Sequence, residues 1–186
     1  GGDPVHAMRD LTGAPYEHIK DFSNPDQTWQ LLEKYGNRWY YFVAWMRSGN
    51  TTEERTADGL VHGHAYSILE FANIKDKNGK PQRLIQLRNP WGTFEWTGDY
   101  SDNSPMWTPE LRKQLKVQIK DDGIFWMPYE KFIENYEGVG VLKVEPDYIF
   151  NSGRFKRKNK SDPVKLAKLS VGAPSHCYIS LDQVDA

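Results

Sequence analysis

Residues 60–92 read LVHGHAYSILEFANIKDKNGKPQRLIQLRNPWG, two apolar and aromatic arms around a polar centre. The arms, Leu60 to Ile74 and Arg83 to Arg88, have the composition of strands. Between them Asp76-Lys77-Asn78-Gly79 predicts a tight hairpin turn, since Asn-Gly supplies the positive backbone torsions such a turn requires. The same four residues open like an EF-hand loop, but the rest of that loop is missing. A hairpin lays its arms side by side, so His64 on the first arm and Asn89 at the far end of the second are expected to meet.

That meeting has a chemical use. A thiol nucleophile needs an imidazole to take its proton and hold the thiolate as an ion pair. The second ring nitrogen then needs an acceptor to fix tautomer and orientation, a role open to the Asn89 amide oxygen. Taken singly, a strand histidine reads first as a core residue and Asn-Pro-Trp-Gly as a turn. Trp91 reads either as ordinary aromatic packing or as a cover that keeps water from the His–Asn contact.

Working outward, Asp3 to Thr12 predicts a short helix with Ala7, Met8 and Leu11 on one face. Ser23 is expected to cap a second helix, Asn24 to Tyr35, with Pro25 in its first turn and Gly36 ending it. Trp29, Leu31 and Leu32 would be its buried stripe. Arg38 to Arg47 (RWYYFVAWMR) reads as a buried strand and Ser48 to Asp58 as a polar loop. Asn89 to Ser104 reads as an ordered loop, followed by a helix start at Thr108-Pro109-Glu110 that leads into Leu111 and Leu115. Phe125 to Met127 predicts a short strand. Pro128 would open a helix with Phe132, Ile133 and Tyr136 on its apolar face and Gly138 closing it, and Val139 to Val144 a last core strand.

The bulk properties set bounds. The 186 residues include 7 Trp, 10 Tyr and 8 Phe, enough aromatic surface for a core despite low hydropathy. A net charge of −1 gives no general pull toward nucleic acid or anionic membrane. No apolar run is long enough for a membrane span, and no signal-peptide pattern opens the chain. The single cysteine, Cys177, excludes an internal disulfide and suits a reducing, cytoplasmic setting. The abrupt start at Gly1-Gly2 reads as a cloning scar or an excised fragment. Past Pro146 the composition becomes basic and polar, with Tyr178-Ile179-Ser180-Leu181 as one more strand candidate. Some forty residues cannot bury a core of their own, so 146–186 are expected to be a docked extension or the start of another domain. His6, His18 and His176 have no companions at metal-ligand spacing, and no zinc pattern is present.

The ordered motifs GLVHGHAYS (Gly59–Ser67), LIQLRNPWG (Leu84–Gly92), EWTGDYSD (Glu95–Asp102) and DDGIFWM (Asp121–Met127) together resemble the second protease subdomain of calpains. Gly1-Gly2 and Asp10-Leu11-Thr12-Gly13 match that subdomain's opening, which weakens the scar reading. The similarity covers residues 1–145. It implies an α+β fold, half of a papain-like cysteine protease, with a twisted antiparallel sheet or barrel flanked by helices. Residues 146–186 would then be a linker and the truncated start of a β-sandwich domain. By the resemblance His64 is the general base, selected over His62 because the family's histidine precedes Ala-Tyr-Ser, and Asn89 orients it beside Trp91.

The resemblance implies further that the cysteine and an oxyanion-hole glutamine lie in a preceding subdomain, and nothing here matches that half. The chain alone is therefore expected to be inactive, with the Cys-containing subdomain and a peptide substrate as its partners. Cys177 lies on the wrong side of His64 to be the nucleophile. Calcium is a second implication: Glu95, Asp102 and Asp122 stand where the family gathers acidic Ca²⁺ ligands. Ile124 replaces a further acidic ligand there, which should weaken the site. The basic cluster Arg154, Lys156, Arg157, Lys158 and Lys160 reads as a solvated linker, with contact to acidic lipid as the alternative. The rival functional reading is a non-catalytic calpain-like binding or structural protein. A papain-like transferase or deubiquitinase fits EWTGDYSD and the Asp-Gly segment less well.

Overall fold

A computed structural model describes residues 2–49, 53–149, 151, 153, 168–175 and 177–179. The chain divides into two compact units, Gly1–Val144 and Glu145–Ala186. In the first, the elements are α1 (Pro4–Thr12), β1 (Tyr16–Ile19), α2 (Pro25–Gly36), β2 (Tyr41–Met46), β3 (Ala65–Lys75), β4 (Pro81–Arg88), α3 (Pro109–Gln114), β5 (Ile124–Pro128), α4 (Tyr129–Asn135) and β6 (Tyr136–Leu142). The strands form one six-stranded sheet in the order β1-β6-β2-β3-β4-β5. Every neighbouring pair is antiparallel, so the fold is α+β as expected.

Both faces of the sheet are buried, and strand parity shows how. In β2, Phe42, Ala44 and Met46 join a core on one face while Val43 joins α1 on the other. In β5, Phe125 and Met127 enter the first core and Trp126 the opposite one. The main core is closed by Trp29 and Leu32 of α2 and by Tyr129 and Phe132 of α4. The opposite face is covered near its β3–β5 end by Tyr100, Trp107, Leu111 and Leu115. In β3 strict alternation would put Tyr66, Ile68, Ala72 and Ile74 on one face. The register slips between Ile68 and Glu70, so Tyr66 and Ile68 serve the main core while Ala72 and Ile74 serve the other. One bulge thus lets a single long strand feed two cores. Where α1 crosses β6, a Cβ on Gly140 would lie 2.0 Å from Cγ2 of Val5, so only glycine admits that contact.

Several local expectations need correction. The first hairpin arm begins at Ala65 rather than Leu60, because the chain turns at His62-Gly63 before it extends. Strand β2 begins at Tyr41 rather than Arg38; Trp39 sits at φ 60° and is 87 % exposed, a turn residue and not a core one. Asn24, not Ser23, caps α2 by accepting the Gln27 N–H, and Gly36 lies inside the helix. Thr28, Trp29 and Leu32 are its buried residues, and Leu31 is only half-buried. Gly138 does not close α4; Tyr136 already starts β6, which ends at Leu142. Strand β1 was not expected at all. Its four residues, YEHI, carry no apolar alternation and pair only with β6. In the second unit Tyr178 and Ile179 are not in a strand, while Ser180, Leu181 and the basic cluster lie outside the described residues.

Glu17 ties β1 to α2 and to the segment that follows β6. Its Oε2 accepts from Tyr35 Oη at 2.8 Å and pairs with Lys143 Nζ at 2.7 Å. Burial alone would raise its carboxyl, but the Lys143 and Tyr35 contacts outweigh that and hold it below the usual range. A depressed native pKa contributes stability above the unfolded value, and that contribution is lost as pH falls through the native one. Glu17→Gln should therefore lower stability modestly, by under about 1 kcal/mol for a partly exposed pair, at neutral pH. Urea denaturation at pH 7 and below pH 3 should show this loss shrink in the acid, and an equal loss at both would contradict it.

Candidate active site

His64 is held at the mouth of β3 by a tight turn. The buried Val61 N–H donates to Tyr66 Oη at 2.9 Å, and Gly63 N–H donates to the Arg47 carbonyl at 3.0 Å. Burial pushes the Tyr66 phenol up to about 12, so it stays neutral as the acceptor for that turn. The Tyr66 ring stands edge-on to His64 at 5.1 Å. Across the hairpin, Ser67 pairs with Arg88. The residues just outside that pair, His64 before β3 and Asn89 after β4, are thereby brought together.

The contact is direct: His64 Nε2 lies 2.9 Å from Asn89 Oδ1. Asn89 is fully buried and its amide orientation is fixed from two further sides. Oδ1 also accepts the Trp91 N–H at 3.1 Å, and Nδ2 donates to the Phe94 carbonyl at 3.2 Å. An oxygen already accepting a backbone N–H takes a proton from the ring, not the reverse. The Nε2–H tautomer of His64 follows, which leaves Nδ1 as the basic nitrogen. The Trp91 ring lies 4.3 Å from the imidazole at a 40° tilt, and is itself half exposed. His62 instead directs Nδ1 to the Arg47 carbonyl at 3.2 Å. A half-buried imidazole with a fixed tautomer and one basic nitrogen can take up and return a proton at Nδ1.

The acidic loop is joined to this pair through backbone. Asn89 N–H donates to the Gly123 carbonyl at 2.8 Å. Gly123 sits at φ 82°, and a Cβ there would lie 2.7 Å from the Asn89 carbonyl oxygen, so glycine is required. Glu95 Oε1 accepts the N–H groups of both Asp122 and Gly123, at 3.0 and 2.7 Å. Asp102 Oδ2 accepts the Lys120 N–H, and Asp122 Oδ1 accepts that of Ile124. Each carboxylate therefore spends one oxygen on backbone, and the second takes no hydrogen bond from a described residue. Burial raises the Glu95 carboxyl, with the Gly123 N–H opposing and the Asp102 charge adding. Burial raises Asp102 likewise, opposed by the Lys120 N–H and reinforced by Asp122.

Glu95, Ser101, Asp102 and Asp121 line a cavity of ≈ 410 Å³ with Arg55 and Phe94. Hard oxygens that repel one another in a partly buried loop are a donor set that fits Ca²⁺. The oxygens of Glu95, Asp102 and Asp122 do not all lie within 4.8 Å of one another. Asp121, not Asp122, lines the cavity beside Glu95 and Asp102. Ile124 brings no side-chain donor.

Sequence reasoning passed over Tyr66 as a support, although its place in the His-Ala-Tyr run was visible. It also set aside His6 and His18 as lacking partners. The fold gathers both with Asp3, the three donor atoms within 4.8 Å of one another, which local spacing could not reveal. Among the described residues no helix is long and apolar enough to cross a membrane. Cys177 is exposed and lies in the second unit.

Residues 1–143 match the family model of the calpain family cysteine proteases. The chain is 36 % identical over 152 residues to calpain-9 of Homo sapiens, covering 79 % of this chain and 22 % of that protein. It is 32 % identical over 162 residues to the calpain-2 catalytic subunit of Gallus gallus, covering 84 % and 23 %. With calpain-A of Drosophila melanogaster it shares 34 % over 169 residues, covering 84 % and 20 %. The chain thus spans about a fifth to a quarter of the length of these relatives.

Tyr66→Phe should leave the buried Val61 N–H without an acceptor, at a cost of about 1–3 kcal/mol. Chemical denaturation measures that loss. The NMR signals of the His64 ring should move with it, and an unchanged midpoint would refute the supporting role of the phenol.

Proposed function

The chain belongs to the calpain family of cysteine proteases, and we propose that it carries the histidine–asparagine half of a papain-like active site in an endopeptidase. The single observation that carries this reading is the 2.9 Å contact between His64 Nε2 and the fully buried Asn89 Oδ1. Its partner is the Cys-bearing protease subdomain, which supplies the thiol and the oxyanion donors. In the assembled site His64 Nδ1 takes the thiol proton, leaving a thiolate–imidazolium pair. The thiolate adds to the peptide carbonyl, and His64 returns the proton to the leaving amine as the C–N bond breaks. Water then cleaves the thioester, with His64 again as base. Asn89 holds the imidazole in the productive tautomer throughout, and Trp91 shields their contact from water. Peptides held in extended form are the substrates, and the setting is the reducing interior of the cell.

The acidic loop supports a calcium-linked version of this enzyme. Glu95, Asp102 and Asp122 would hold the ion, and a bound Ca²⁺ supplies positive charge that relieves their mutual repulsion. Glu95 grips the Asp122-Gly123 backbone, and Gly123 in turn receives the Asn89 N–H. Ordering of the loop and alignment of Asn89 are thereby linked. Ile124 leaves the shell short of one carboxylate, so affinity should be low.

Two experiments test the reading. With the Cys-bearing subdomain supplied and a peptide substrate assayed, His64→Ala should lower kcat/KM by at least about 10³-fold. Asn89→Ala should lower kcat by roughly 10²-fold, as expected for a misplaced base. Cys177→Ser should leave activity unchanged. Full activity in His64→Ala overturns the catalytic assignment, and an inactive assembly with an intact Cys half favours the non-catalytic reading. For calcium, Ile124→Glu should raise Ca²⁺ affinity at least tenfold in calorimetry, and Asp102→Asn should lower it. Indifference to both changes removes the ion from this loop.

A further inference from the structure

A second cluster of donors lies outside the site described above, where α1 meets the edge strand β1. Asp3 precedes α1, His6 is in its first turn, and His18 lies on β1. One donor atom from each comes within 4.8 Å of the other two, and among the described residues this is the one such trio of His, Cys, Asp or Glu side chains. Asp3 Oδ2 and His18 Nε2 are 2.8 Å apart, and the two imidazole rings are 6.0 Å apart at 78°.

The cluster rests on well-supported elements. Asp3 caps α1 through Oδ1, which accepts the Val5 N–H at 2.9 Å and leaves Oδ2 for His18. Pro4 fixes the first helical torsion. His18 pairs with Gly140 across β1 and β6 and packs edge-on against Trp45 and Tyr16 at 5.7 and 5.5 Å. Val5 seated against Gly140 holds α1 on the same strand pair, so the helix that carries His6 is pinned close to His18.

Two imidazoles and one carboxylate form a borderline donor set, suited to Zn²⁺ and unlike the all-oxygen loop around Glu95. Metal–ligand bonds of about 2.0–2.2 Å place tetrahedral ligands about 3.3 Å apart. The Asp3–His18 pair would open by about half an ångström from its hydrogen-bonded distance to reach that spacing. A metal would take the place of the proton shared by Oδ2 and Nε2, releasing it to solvent. His6 is exposed, so water can fill the fourth position. We propose that Asp3, His6 and His18 bind one divalent transition-metal ion of the Zn²⁺ class, with water as the fourth ligand. The site would fasten the start of α1 to an edge strand held by one neighbour. It is independent of the His64–Asn89 reading, and either can fail without the other.

Titration of the full chain with Zn²⁺ and with Co²⁺ tests this, in a Cys177→Ser background that removes a competing thiolate. Calorimetry should give one Zn²⁺ per chain, and Co²⁺ should develop the strong visible absorption of a four-coordinate site. Asp3→Asn keeps an oxygen for the Val5 N–H while removing the anionic ligand, and His6→Gln changes an exposed side chain. Each should weaken Zn²⁺ at least about tenfold and abolish the Co²⁺ band, with circular dichroism unchanged. Binding that survives both variants, or no saturable binding at hundreds of micromolar Zn²⁺, overturns the proposal and leaves Asp3–His18 as a simple capping pair.

Discussion

The pairing of β3 with β4 is the constraint on which the rest of the first unit depends. It is the longest ladder in the sheet, and it sets the distance between its own two ends. At the open end the chain leaves β4 directly into Asn89, while His64 arrives from a turn braced by Tyr66. The turn and the ladder therefore act as one positioning device. The same ladder contains the slip at Ile68–Glu70, without which Ala72 and Ile74 would crowd the main core and the opposite face would lose its apolar floor.

The hairpin was legible because its signals are local. Gly79 supplies the left-handed torsion of the turn at φ 80°, while Asn78 does not. The arms have strand composition, and a residue on one arm must converge with one at the far end of the other. The convergence of His64 and Asn89 could be read from connectivity alone. Other features depended on tertiary partners and stayed hidden. Trp39 looked like core because aromatic content does not report backbone torsion, yet it occupies a left-handed turn in solvent. Strand β1 gave no alternation, since an edge segment flanked by α1 needs no regular apolar face. Tyr136 continued the apolar face expected of a helix, but its place between α4 and β6 put it in a strand while keeping it buried. The grouping of Asp3, His6 and His18 was invisible because the turn after α1 sets it, and not any spacing along the chain.

The acids after Trp91 illustrate how charge and backbone share one task. Glu95, Asp102 and Asp122 each tie down a segment with one carboxylate oxygen. Burial raises the carboxyls of Glu95 and Asp102, and the like charges the loop holds near one another add to it. Gly123 is the hinge of this arrangement. It is gripped by Glu95 on its N–H and by Asn89 on its carbonyl, so the loop and the imidazole's partner share a single peptide segment.

The two outer strands carry a different implication, one for association. Strand β1 has four residues and β5 has five, each paired on one side only. Pro15 precedes the first and Pro128 ends the second. A sheet whose borders are short and closed by proline offers little template for another chain to add a strand. Its long, strongly apolar strands are all interior. This unit is thus built to present loops, not sheet edges, to whatever it meets.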